Sequence, residues 1–542
     1  MTPAVTTGTE DPLHGWSDPG EYWTTSNIGE AAPGVQTPLS ATIWWPAIED
    51  CVRETGYRAG YLTAEERRTP QEMGRRFLRL FYGRCALNIQ VMSVVGDRLP
   101  GTTGPAVVEA IFGRVPEDMA FSPTRRFYPR VITRLPRLYR AVPRELAATA
   151  PVFAAWWTES TRRVAELDRG QTTALLKEAL ERFHEALLLQ HLAVIGVVQP
   201  SLAMLDMVAR RSGVPEVTEL GTASGNAEMA VVCDLWRASR GRISLDTVVA
   251  NHGFHAPLEG ELSTRVWRED DMALRRIVEQ YSRLDDGDDP LRGDSAREAA
   301  HEAIAGRAVA SAPWWQRRLV RGMIAVARRN MPLRGVAKCS FLQGFDVIRA
   351  CARRLGELLA AEGLLERADD VFYLTMPELT GEFPADARTL ISGRQERRAE
   401  FQQVTIPGDW QGMPPTEPVQ PGIGEATLAP LEEVTGIGVS PGVVVGRVRV
   451  ILEPDFTDIE PGEILVAPTT DPSWSSIMFI SSALVVDIGG LLSHAAVVAR
   501  EMGVPCVANT RNGSRALRTG DLVRVDGGSG VVLVLERAPS DA

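Results

Sequence analysis

A large, mainly α-helical domain followed by a small β/α domain is the multidomain fold class that this 542-residue sequence predicts. Three features predict it. Apolar residues recur at steps of three and four from about Pro46 to Glu400, the period of a helix with one buried face. Prolines then crowd the stretch from Gln403 to Pro430 (Pro407, Pro414, Pro415, Pro418, Pro421 and Pro430), where periodicity fades. Beyond it, short β-rich runs alternate with turns. A chain of this length holds roughly two to four domains with proper cores.

Taken in order, residues 1–21 read as a polar tail and 22–402 as the helical domain. In Gln171–Val198, Leu176, Leu180, Phe183 and Leu187 mark one buried helix face. His184 and His191 lie seven apart on that helix without the carboxylate, histidine or cysteine neighbours of a metal site, so they read as core-edge residues and no metal is expected. Asp285-Asp286-Gly287-Asp288-Asp289 lacks the spacing of a calcium loop and reads as a solvated turn. Residues 403–433 read as a Pro-rich linker. In 434–538, strands are expected at Gly446–Leu452, Glu463–Ala467, Ala483–Asp487, Leu522–Val525 and Gly530–Leu535. A helix from about Ser493 to Met502 interrupts them, capped by Gly503.

Bulk properties narrow the function. A net charge of −11 gives no reason to expect nucleic-acid binding or attraction to an anionic membrane. The basic residues are arginine except for Lys177 and Lys338. Six scattered cysteines without a C-x-x-C pair fit a reducing compartment. The N-terminus lacks a signal pattern, and no apolar run approaches the ~20 residues that span a bilayer. A cytoplasmic protein is expected.

The stretch Gly489-Gly490-Leu491-Leu492-Ser493-His494-Ala495-Ala496-Val497-Val498-Ala499-Arg500 carries the chemistry. It sets a histidine after a glycine turn, at the head of an apolar helix. Unpaired N–H groups and a partial positive charge there suit an anion and disfavour the imidazolium. A neutral histidine so placed can accept a phosphoryl group. Gly489 and Gly490 allow close approach to the main chain, and Ser493 is a helix cap or a phosphate donor. Arg500 is a weaker candidate for phosphate support, since it can pair with a carboxylate instead. The stretch closely resembles the phosphohistidine signature of the mobile domain in phosphoenolpyruvate-utilising enzymes. Thr435–Gly442, Gly462–Ala467, Asp471-Pro472-Ser473-Trp474, Gly503–Val507 and Asp526-Gly527 extend the resemblance across 434–536, and the Asp-Pro-x-Trp turn and Leu492 point to its rifampicin phosphotransferase branch. What the resemblance implies is a swivelling phosphohistidine domain.

Residues 22–39, Phe81–Arg84 with Asn88, Gly96–Gly101, Glu259–Ser263 with Trp267, and Asp369–Leu374 before Glu378-Leu379 resemble, in order, the substrate-binding domain of the same branch. Motif-borne candidates there are Trp23, Asn27, Glu30, Arg84, Asp97, Arg98, His255 and Glu261, several of them expected to be structural. Within Gly253-Phe254-His255-Ala256-Pro257, His255 stands where relatives carry arginine, so it is either a local structural residue or a substrate-facing acid, base or donor. The chain opens directly on this domain, has no P-loop and leaves no room for a phosphoenolpyruvate-binding barrel. The resemblance therefore implies a separate ATP-grasp protein that uses ATP and Mg²⁺ to charge His494, with no cofactor on this chain. The expected function is phosphotransfer to a hydroxyl of a bulky small molecule, such as a natural product. The alternatives are phosphorylation that drives elimination (a dehydratase) or condensation, and a non-catalytic scaffold or sensor.

Overall fold

The computed structural model describes residues 11–25, 28–31, 34–112, 114–221, 227–256, 258–419, 433–452, 459–470, 474–490 and 493–539. Three long helices, Pro38–Ala59, Arg169–Ala193 and Leu333–Ala361, pack with Tyr128–Arg163 around the main core. Leu176, Phe183 and Leu187 are buried there, while Leu180 is partly buried against it. Trp44, Phe183, Phe341 and Phe345 form its aromatic centre. Arg169–Ala193 starts from a capping box, in which Asp168 and Gln171 satisfy each other's backbone N–H groups.

That helix runs on through a π-helical turn at Val194–Val198 into Gln199–Ser212. The combined Arg169–Ser212 helix is long and apolar enough to cross a membrane by length and composition, and half of its most apolar window is buried against other helices. The sequence reading found no such run because Gln190, His191 and Gln199 interrupt it. His184 and His191 are both half-buried. Nδ1–H of His191 donates to the Leu187 carbonyl at 2.8 Å, so this ring serves its own helix.

A four-stranded antiparallel sheet braces one side of the helices, in the order Leu78–Phe81, Arg84–Asn88, Tyr22–Thr24, Asp409–Gln411. The start of the expected helical domain meets the expected linker in it, since Trp23 lies opposite Asn88 on one side and Trp410 on the other. The flanking segments are structured too. Leu13 is buried within the expected 1–21 tail. Within the expected 403–433 linker, Val404–Thr405 pairs with Glu417–Pro418, and Trp410 is buried. Residues 420–432 lie outside the described residues.

The C-terminal domain is an eight-stranded mixed sheet, in the order Glu433–Thr435, Val531–Glu536, Leu522–Asp526, Val443–Val450, Ile464–Ala467, Ala483–Val486, Cys506–Ala508, Ile437–Ser440. Four adjacent strands, from Val443–Val450 to Cys506–Ala508, run parallel. Ile464–Ala467 and Ala483–Val486 are buried along their whole length, as parallel strands covered on both faces are. The five expected strands are all present. The Glu433–Thr435, Ile437–Ser440 and Cys506–Ala508 strands and the short Ser475–Ile480 and Gly513–Ala516 helices were not anticipated, because three- to six-residue elements carry too little periodicity.

The two domains share a core. Val231, Val232, Leu235 and Trp236 from Ala227–Ser239, with Leu274, Ile277 and Tyr281 from Met272–Ser282, pack against Ile459, Trp474, Ile477, Met478 and Ile480. Tyr281 Oη donates to the Ser476 carbonyl at 2.9 Å, and Gln280 Nε2 donates to that of Ile459 at 2.8 Å. This contact seats the C-terminal domain on the helices and carries the head of its main helix to the boundary.

Candidate functional site

Ala483–Val486 ends at a loop that feeds the His494–Met502 helix, at the carboxyl end of the parallel strands, where α/β sheets place their sites. Asp487 pins the loop from behind. Its carboxylate accepts from Thr510 Oγ1 at 2.8 Å, from the Ser514 amide at 3.0 Å and from the Ser514 hydroxyl. Gly489 has a φ of +151°, and a side chain there would strike Ser493 Oγ at 2.9 Å. Gly490 has neither constraint. Ser493 is the N-cap; its Oγ accepts from the Ala496 amide at 3.4 Å and donates to the Gly490 carbonyl at 2.8 Å. Both bonds are internal to the turn, so of the two roles expected for Ser493 the cap is the one seen. Leu491, Leu492 and Asp471-Pro472-Ser473 lie outside the described residues.

His494 opens the helix and is only 8 % exposed. Its Nδ1 lies 3.1 Å from the hydroxyl of Thr470, at the end of the neighbouring strand. When Nδ1–H donates to that hydroxyl, the lone pair is on Nε2. Burial pushes the imidazole pKa down to about 3, and Lys338 and Arg334 push it the same way against an opposing pull from Glu259. The ring is therefore neutral at physiological pH. The sequence assigned this neutrality to the helix head, whereas burial and two cations from the other domain are its main causes.

Those cations are one turn apart on one face of the Leu333–Ala361 helix. Lys338 Nζ pairs with Glu259 Oε2 at 3.1 Å, and Glu259 Oε1 takes a 2.5 Å hydrogen bond from His255 Nδ1. Burial raises the affinity of Glu259 for a proton, but Lys338 and then His255 outweigh it and hold the carboxyl at about 2. The backbone is built to present this group. Leu258 holds a φ of +56°, a conformation a leucine rarely adopts, at the turn into Glu259. The Trp267 amide donates to the His255 carbonyl and the Arg268 amide to the Gly253 carbonyl, each at 2.9 Å. Arg268 then grips Asp346 through two hydrogen bonds, at 3.2 and 3.0 Å.

Of the residues singled out from sequence, His494, Gly489, Gly490 and Ser493 form the loop and helix head, and His255 stands beside Glu259. Arg500 is half-buried, about 240° around the helix from His494, and its charge bears on Cys506. The other described candidates are structural. Trp23 is fully buried with Nε1 donating to Ser17 Oγ at 2.7 Å. Arg84 clamps the carbonyls of Tyr82, Phe401 and Val404. Asp97 accepts from the Gly104 and Ser122 amides, and Arg98 pairs twice with Glu66. Glu261 accepts from the Thr37 amide and hydroxyl, Ser40 Oγ and the Ser263 amide, so it fixes the Pro38–Ala59 helix start. Asn27 and the side chain of Glu30 lie outside the described residues.

Four members of the site were missed: Thr470, Glu259, Arg334 and Lys338. Lys338 had left a signal, as one of two lysines in a chain that otherwise uses arginine.

Comparison with known proteins matches both halves of this boundary. Residues 459–530 match the family described as PEP-utilising enzyme, mobile domain, and residues 148–335 match the rifampicin phosphotransferase fourth domain. A rifampicin phosphotransferase of Streptomyces sviceus is 26% identical over 80% of this chain and 50% of its own length. That of Bacillus subtilis is 30% identical over 39% of this chain and 24% of its own. An uncharacterised protein of Mycobacterium tuberculosis is 36% identical over 40% of this chain and 25% of its own. The chain thus spans between a quarter and a half of the length of these relatives.

Proposed function

We propose that this chain is the phosphoryl-carrying and acceptor-binding part of a phosphotransferase. The observation that carries the reading is His494: neutral, buried, oriented by Thr470 and set beside Lys338 and Arg334 across the domain boundary. The names of the relatives and the mobile-domain match support the same reaction class.

In the first half-reaction, Nε2 of His494 attacks a phosphorus atom of ATP held with Mg²⁺ on a separate ATP-grasp protein. A P–N bond forms at the β-phosphorus as its P–O bond to the AMP moiety breaks, and water then cleaves the β–γ P–O bond, so that one phosphoryl group stays on the ring and AMP and inorganic phosphate leave, as the resemblance implies. In the second, the C-terminal domain is seated on the helices through the Tyr281 and Trp474 contacts and a hydroxyl of a bulky small molecule attacks the phosphorus. The P–N bond breaks and its electron pair returns to the ring, which is stable as the neutral form in this setting. Lys338 and Arg334 offset the charge on the transferring group, the main task in phosphoryl transfer. Burial keeps water from intercepting it.

The test is intact mass after incubation with ATP and Mg²⁺, alone and with an ATP-grasp protein encoded nearby. An acid-labile gain of ~80 Da, one phosphoryl group on the nucleophile, that needs the partner and disappears in His494→Gln is the expected result. No gain under either condition, nor with phosphoenolpyruvate as donor, overturns the reading.

A further inference from the structure

We infer that His255 is the general base that accepts the proton of the acceptor hydroxyl, and that Glu259 is the residue that positions it. The inference rests on the phosphotransfer reading above and adds what that reading lacks, a destination for the proton.

The tautomer follows from the hydrogen bond. An ionised carboxylate only accepts, so the 2.5 Å contact to Glu259 Oε1 requires the proton on His255 Nδ1. In the neutral ring the lone pair is then on Nε2, which has no hydrogen-bond partner among the described residues. Rings hold the imidazole in place: Phe254 lies 4.4 Å and Trp267 5.3 Å away, centroid to centroid. His255 is thus buried, fixed in rotation and fixed in tautomer, with its basic nitrogen disengaged. A carboxylate on Nδ1 that stabilises the imidazolium formed during transfer is the arrangement by which a histidine works as a base.

The charged groups around the ring support this role. Glu259 shares its second oxygen with Lys338, whose charge also acts on His494, so nucleophile and base meet through one ion pair. His252, with its ring 6.4 Å from His255, is taken by Asp234 at 3.0 Å and held by burial and by His255 at a pKa of about 4; it does not compete for the proton. The step balances. The hydroxyl oxygen bonds phosphorus, the P–N bond to His494 breaks with its electrons returning to nitrogen, and the hydroxyl proton moves to His255 Nε2. Solvent recovers that proton after release.

The experiment charges the full chain with potassium phosphoramidate, a small phosphoryl donor that needs no partner, and follows transfer to methanol by ³¹P NMR as methyl phosphate. His255→Gln should charge at the wild-type rate yet transfer about 10²-fold more slowly, and lose the acid limb of the rate–pH profile. Glu259→Gln, which keeps an acceptor for Nδ1, should lose about tenfold. In the uncharged protein, histidine ¹⁵N shifts should show the His255 proton on Nδ1. Transfer in His255→Gln within twofold of wild type, or the proton found on Nε2, overturns the inference even if charging succeeds. Failure of wild-type His494 to charge instead removes the phosphotransfer reading, and this one with it.

Discussion

Two buried histidines, one from each domain, are tied to the same Lys338–Glu259 ion pair, and they are held in opposite ways. His494 is bonded through Nδ1 to a hydroxyl and placed beside two cations; His255 is bonded through Nδ1 to a carboxylate. Both are under a tenth exposed. A neutral partner and neighbouring positive charge make protonation costly, so the first ring stays neutral, as the proposed phosphoryl transfer requires. An anionic partner makes an added proton tolerable, so the second suits proton transfer. Residue type alone says little; the charge on the far side of the ring decides the chemistry.

The comparison can be broken most severely at the nucleophile. His494→Gln should abolish acid-labile phosphorylation, a loss beyond about 10⁴-fold, with a carrier scaffold still folded by circular dichroism. Lys338→Met removes the cation that acts on His494 and pairs with Glu259. Transfer should fall about 10²–10³-fold, and stability in urea should drop because Glu259 is left buried with its hydrogen bond from His255 and without the Lys338 ammonium.

Acid sharpens the contrast. His494 titrates near 3 when docked and near 6.5 when exposed, so the unfolded or undocked form takes up its proton first. Glu259, held near 2 against an ordinary 4.5, acts in the same direction lower down. The melting temperature should therefore fall as pH drops from 6.5 toward 3, and the C-terminal domain should release over that window, seen as a larger radius of gyration in solution scattering. In His494→Gln the upper part of that slope should flatten; an unchanged slope would mean that the docked ring is not the group responsible. Smallest are the neutral contacts. Thr470→Val should cost transfer about tenfold or less by freeing the ring, and Tyr281→Phe should weaken docking by about 1 kcal/mol through its bond to the Ser476 carbonyl.

How much of this was legible follows the range of each interaction. The glycine turn, the Ser493 cap and the Gly503 stop are local, and the sequence displayed them in order. The helical and β/α halves were legible from their periods. Glu259 and Glu261 could not be told apart, because two carboxylates two residues apart have the same sequence context. One faces Lys338, and the other accepts from amides and hydroxyls more than 200 residues away in the chain. Arg84 and Arg98 matched motifs for the same reason that they are structural: half-buried guanidiniums that close loops are needed wherever the fold recurs. Thr470 and Arg334 had no local signature, since each acquires its meaning from a contact across the domain boundary or between strands.

The sheet that joins Tyr22–Thr24 to Asp409–Gln411 has a consequence for geography. It stitches the end of the helical domain to its beginning, and the pairing of Glu417–Pro418 with Val404–Thr405 fixes the exit point of the chain at Val419. From Val419 to Glu433 the chain takes about 14 Cα-to-Cα steps, which at ~3.5 Å each cannot exceed roughly 50 Å. On the phosphotransfer reading proposed above, that length bounds how far Glu433, where the C-terminal sheet begins, can stand from Val419 while His494 visits a second site.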